Sequence, residues 1–96
     1  MTENRFVHSQ RAIEEAEDIL DAADEALSAE GLSVADAQFR LEGESKRFSR
    51  SEASRWISDS VDAGYARIGF VIGRSRDGFG VVSLAAFEDP DSQFHP

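Results

Sequence analysis

Two histidines, twelve serines and no cysteine are the raw material from which any catalytic or metal chemistry would have to be built. Zinc sites draw on His and Cys at short spacing, and here His8 and His95 stand near opposite ends of the chain. Acids are plentiful between Glu14 and Glu25, but they lack the turn and the glycine of a calcium loop. A serine nucleophile needs an oriented base beside it. Both histidines fall in segments expected to be exposed and mobile, and no G-x-S-x-G elbow is present. Paired carboxylates work as acid and base only where a cleft drives their pKa values apart, and a chain of 96 residues rarely encloses one. Gly73 and Gly78 have the outer glycine spacing of a phosphate loop, but no Lys-Ser/Thr follows and no helix is expected after them. The expectation is a protein that is not an enzyme and uses no metal and no cofactor.

Charge is the more informative property. Nineteen acids face ten bases, for a formal net charge of −9, and Lys46 is the only lysine. The charges are segregated along the chain. Residues 1–36 carry a net −8, residues 40–76 a net +3 and residues 77–96 a net −4. Such a field repels nucleic acid and anionic membranes and attracts basic partners. The same composition also suits a solvated surface that aids solubility, or a salt-adapted or high-GC source. No apolar run approaches the roughly 18 residues of a membrane span, and residues 1–5 lack the pattern of a signal peptide. With no cysteine to form a disulfide, the expected location is the cytoplasm, or the host cytoplasm for a viral protein.

The elements that would position these charges can be read from periodicity. The length implies a single domain over residues 1–96, with 1–8 and 89–96 fraying. Ile13, Ala16, Leu20, Ala23 and Leu27 recur at helical spacing and predict a helix from about Ser9 to Ala29, widened by Ala12, Ile19 and Ala26 and stopped by Gly31. Its opposite face carries Glu14, Glu17, Asp18, Asp21, Asp24 and Glu25. Like charges at this spacing cost a helix a few tenths of a kcal/mol per close pair. Ala35, Ala37, Phe39 and Leu41 alternate with polar residues and predict a half-buried strand. Gly43-Glu44 suits a turn, and residues 45–48 a short return with Lys46 and Phe48 on one side. Ser49 and Glu52 form a capping box ahead of a second helix that buries Ala53, Trp56, Ile57, Ser60 and Val61 and ends at Gly64. Residues 65–74 and 79–88 read as a hairpin about Asp77-Gly78. A two-residue type I′ turn there would set Arg74 opposite Val81 and Phe70 opposite Ala85, leaving both hairpin faces largely apolar. A partner subunit over the second face would explain that, so a homodimer is one expectation.

The fold class expected is therefore α+β in the order α-β-β-α-β-β, a four-stranded, mostly antiparallel sheet with two helices packed on one face. Leu20, Phe39, Leu41, Trp56, Ile57 and Phe70 would form its core. The expected function is binding: an acidic surface engaging a basic protein, one that normally handles nucleic acid, through Glu14, Glu17, Asp18, Asp21, Asp24 and Glu25. Acids one helical turn apart lie about 5–6 Å from one another, comparable to phosphates along a strand. In size, charge and lack of chemistry the chain looks like the short inhibitors that phages carry against host defence nucleases, anti-CRISPR proteins among them, and like immunity proteins; no motif carries that analogy. Two alternatives stand beside it. One is a homodimeric accessory or structural domain of a salt-adapted or high-GC organism. The other is a nucleic-acid binder using a basic patch of Arg40, Lys46, Arg47, Arg50, Arg74 and Arg76, although nucleic acid and membranes are not the partners expected from the net charge.

Overall fold

The computed structural model describes residues 8–64 and 67–88, so Tyr65, the acidic tail 89–96 and, apart from His8, the segment 1–8 expected to fray lie outside it. Helix α1 spans Gln10–Ala29. Ser9 caps it by accepting from the Ala12 N–H at 3.1 Å, which satisfies one of the donors a helix start leaves unpaired. At the other end the Leu32 N–H donates back to the Leu27 carbonyl at 2.9 Å and Gly31 to Ser28 at 3.0 Å. This closure tucks Leu32 into the core. The buried face is Ala12, Ala16, Ile19, Leu20, Ala23 and Leu27. Ile13, expected at its centre, is 39 % exposed on the shoulder. Ala12 holds the central place because the second helix crosses there: the buried Ser58 hydroxyl donates to the Ala12 carbonyl at 3.2 Å, an approach that a large side chain would prevent.

Strand β1 is Gln38–Leu41 and β2 only Arg47–Phe48. Phe39 and Leu41 point into the core as their alternation requires, but Ala35 and Ala37 are not in the strand. Pairing is the reason. β1 runs parallel to β4, which begins at Gly80, and Gln38 already lies opposite Val81, so β4 offers nothing for residues 35–37 to pair with. Beyond Leu41 the chain turns at Glu42 and Gly43, one residue earlier than expected, with Glu44 N–H on the Leu41 carbonyl. Helix α2 is Arg50–Asp62, entered through the expected capping box: Ser49 accepts from Glu52 N–H at 3.1 Å, and Glu52 accepts from Ser49 N–H at 2.8 Å. It buries Ala53, Ile57, Ser58, Ser60 and Val61. Trp56, expected to be buried, is only partly so, because Ser58 rather than Trp56 turns toward α1.

Strands β3 (Arg67–Arg74) and β4 (Gly80–Phe87) complete a sheet of order β2-β1-β4-β3, parallel between β1 and β4 and antiparallel elsewhere. The fold is α+β as expected. The hairpin register is not. Arg74 pairs with Gly80 and Phe70 with Leu84, one residue away from the expected pairing. A type I′ turn needs positive φ at both Asp77 and Gly78, and only Gly78 has it, at 91°. The loop instead carries a Gly78 N–H to Ser75 carbonyl bond of 3.0 Å, a Ser75 N–H to Phe79 carbonyl bond of 2.8 Å and a Phe79 N–H to Ser75 Oγ bond of 3.0 Å. That is a three-residue loop with a glycine bulge. A one-residue slip exchanges which residues lie opposite each other. It gathers Ile68, Phe70 and Ile72 with Val82 and Leu84 on the face under the helices; Phe70, expected in the core, is partly buried against it.

Candidate interaction surfaces

Glu14, Asp18, Asp21 and Glu25 are all exposed and lie on the side of α1 opposite its buried face. The Gln10 side-chain amide donates to Glu14 at 3.0 Å. None of the four has a cation within ion-pair distance among the described residues. Glu17 is exposed beside them.

Asp24 differs. It faces α2 and takes both forks of Arg50, at 2.7 and 2.8 Å. Two parallel charge-assisted bonds fix geometry as well as charge. The Asp24 hydrogen bond is the largest reason that Arg50 is held above its ordinary pKa, and the nearby Asp21 adds to it. Arg50 is the first residue of α2, where a cation meets the positive end of the helix dipole. The bridge offsets that placement and pairs Asp24 with Arg50, which stays exposed.

The antiparallel α1–α2 pair is also tied at its other end. Ser9 Oγ donates to Asp62 at 2.7 Å and His8 Nε2 lies 2.6 Å from Asp59 Oδ1. The Ser9 hydroxyl is the main reason that Asp62 sits below the usual carboxylate range. For Glu52 the cause is the capping-box bonds from Ser49, the backbone one first.

The expected basic patch is not one surface. Arg50 is committed to Asp24. Lys46 lies over the Phe48 ring, 4.8 Å from its centroid, on the side the sequence implies. Arg74 and Arg76 belong to the hairpin end, Arg74 beside Glu30 and Leu32. Only Arg40 and Arg47 come together, directly opposite each other on β1 and β2. They lie on the outer face of the sheet, away from the helices, because their neighbours Phe39, Leu41 and Phe48 take the core side.

That outer face was not legible beforehand, because it depends on the hairpin register. One row across the four strands reads Arg47, Arg40, Ser83, Val71. On one side of it lie Gln38, Val81 and Gly73; on the other lie Ala85 with Gly69, then Phe87 with Arg67. Val71 is 68 % exposed and Phe87 49 %. The hairpin's second face, expected to be largely apolar, carries Val71, Val81, Ala85 and Phe87 with Ser83 and Arg67 among them, and the β1–β2 half beside it is basic.

Among the described residues no group of His, Asp or Glu is placed to hold a metal ion, and no helix is long and apolar enough to cross a membrane. No family model matches the chain, and neither a curated protein nor a solved structure does.

Proposed function

We propose that this is a non-enzymatic binding protein whose α1 carboxylate row docks on a basic surface of another protein, one that itself handles nucleic acid. The observation that carries the reading is the state of Glu14, Asp18, Asp21 and Glu25: exposed, on one side of a single helix, and without an ion-pair partner among the described residues. Like charges so spaced weaken a helix, and a cationic partner offsets that penalty. Placement on a helix sets the Cβ atoms of successive acids about 5–6 Å apart, near the spacing of phosphates, so a surface built for a nucleic-acid strand is the partner of matching geometry. Asp24 is a support for α1 in this reading, since it holds Arg50, and Glu17 lies at the margin of the row. An inhibitor of the phage counter-defence or immunity type is the finer form of the proposal.

The test is capture from source-cell lysate at low and at high salt, with the partner identified and then titrated in purified form. The proposal expects a basic, nucleic-acid-handling protein that is released by salt, displaced by duplex or single-stranded nucleic acid, and bound about tenfold or more weakly by the Asp18→Asn, Asp21→Asn, Glu25→Gln variant. Equal capture by that variant removes the row from function.

A further inference from the structure

The outer face of the sheet has features that the folded chain itself leaves unexplained. Arg40 and Arg47 stand directly opposite each other on neighbouring strands, an arrangement that like charges make unfavourable. Neither has a carboxylate within ion-pair distance among the described residues. Glu42 and Glu44 border the same shallow depression of about 310 Å³ as Arg40, Val81 and Ser83. The Glu42 carboxylate, however, accepts from the Ala86 N–H at 3.1 Å, finishing a strand edge that β1 is too short to cover. Beside the arginines, Val71 and Phe87 are exposed on a field of small residues.

The two glycines of that field differ. A side chain at Gly69 would meet the Phe87 ring at 3.2 Å, so the missing Cβ there is filled from within the molecule. At Gly73 nothing lies within 4 Å of where a Cβ would be. Glycine inside a strand weakens it, and commonly marks a place where a ligand or another backbone approaches closely. Here that approach would come from outside the described chain.

We propose that this open face is a docking surface for an acidic stretch of another polypeptide that also carries apolar side chains. Its carboxylates bridge Arg40 and Arg47, and its apolar groups cover Val71 and Phe87 with its backbone close over Gly73. The charge complement is local. The α1 acids lie on the far side of a helix about 10–12 Å thick, beyond the roughly 8 Å over which salt lets charges act. With Glu42 committed to the Ala86 N–H, Arg40 and Arg47 form a local site that attracts anions despite the net charge of −9 and the neighbouring Glu44. A nucleic-acid strand fits less well, since successive bases want successive aromatics and Phe87 is the only aromatic among the paired strand residues of this face. A second copy packed face to face would bring both arginine pairs into one interface, where like charges oppose association. The surface is independent of the α1 row and stands if that reading fails.

Fluorescence anisotropy with the full chain tests it. The probes are a short labelled peptide of alternating Glu and Leu, its Lys-for-Glu counterpart, and a single-stranded oligonucleotide of equal charge. The expected result is salt-sensitive binding of the acidic peptide alone. It weakens about tenfold or more in R40Q/R47Q, weakens in Val71→Ser, and is blocked by Gly73→Val, with circular dichroism and melting showing each variant folded. The Asp18→Asn, Asp21→Asn, Glu25→Gln variant binds the peptide as the parent does. Absence of peptide binding at low salt overturns the proposal, as does equal binding by R40Q/R47Q. Tighter binding of the oligonucleotide overturns it in favour of nucleic acid. A parent dimer in sedimentation that Val71→Ser dissociates overturns it in favour of a second copy.

Discussion

Glycine illustrates how much a single position depends on its surroundings. A Cβ at Gly80 would fall 2.5 Å from Leu27 Cδ2 and 3.4 Å from the Leu32 Cβ. Leu27 is fully buried and Leu32 nearly so, which leaves little room for either to retreat. Gly80 is the point where the closing turn of α1 rests on the start of β4. Gly80→Ala is therefore expected to destabilise the fold by about 1–3 kcal/mol through overpacking. Gly73→Ala, with open space above it, is expected to be neutral or stabilising by up to about 1 kcal/mol. Urea denaturation of the two variants checks the contrast, and an equal loss in both would contradict it.

At the scale of elements, the helices are fixed by their ends as much as by their apolar faces. The capping box starts α2 and the Asp24–Arg50 bridge joins its first turn to α1. Glu52 accepts the Ser49 N–H only as a carboxylate with full strength, so its folded pKa lies below its ordinary 4.5. A group whose pKa is lower in the folded state stabilises the fold above its unfolded value and loses that contribution as pH falls through the folded one. Asp62, held below its ordinary 3.8 by Ser9, acts in the same direction. Acidification from near 4.5 downward is thus expected to lower the melting temperature. Glu52→Gln keeps a hydrogen-bonding side chain and should flatten that slope, while Ser49→Ala should cost about 1 kcal/mol at neutral pH. Thermal melts across the acid range measure both. A slope unchanged in Glu52→Gln would place the acid sensitivity elsewhere.

For the whole molecule the salient property is polarity between its two sides. Carboxylates concentrate on the exposed side of α1, and Arg40, Arg47 and Arg67 lie on the open side of the sheet. Self-repulsion among the acids makes the fold sensitive to salt. The melting temperature is expected to rise as salt is added up to moderate concentration, where screening is complete. The Asp18→Asn, Asp21→Asn, Glu25→Gln variant should melt higher at low salt, by a few tenths of a kcal/mol per relieved pair, with a smaller salt response. Calorimetry over a salt series decides this. A gain that continues into molar salt and is the same in the variant would instead mark the charge as a salt adaptation.

What the sequence determined by itself is whatever acts over a few residues. The α1 stripe, the Ser49–Glu52 box and the alternation of Phe39 and Leu41 are local periodicities and local hydrogen bonds, and the α+β class follows from their order. The exposure of Glu14, Asp18, Asp21 and Glu25 was legible for the same reason, since a helix with one apolar side must turn the other to water. The tertiary structure decided what depends on distant partners. Asp24 looked like its neighbours until α2 brought Arg50 beside it. Ala35 and Ala37 alternate like a strand, but strand formation needs a neighbour, and β4 starts too late to supply one. The hairpin slipped by one residue because Asp77 does not take the positive φ of the tighter turn, and because the slip buries Phe70 with Leu84. That single shift also created the outer face on which Arg40, Arg47, Val71 and Gly73 now lie together, a surface no local pattern could have announced.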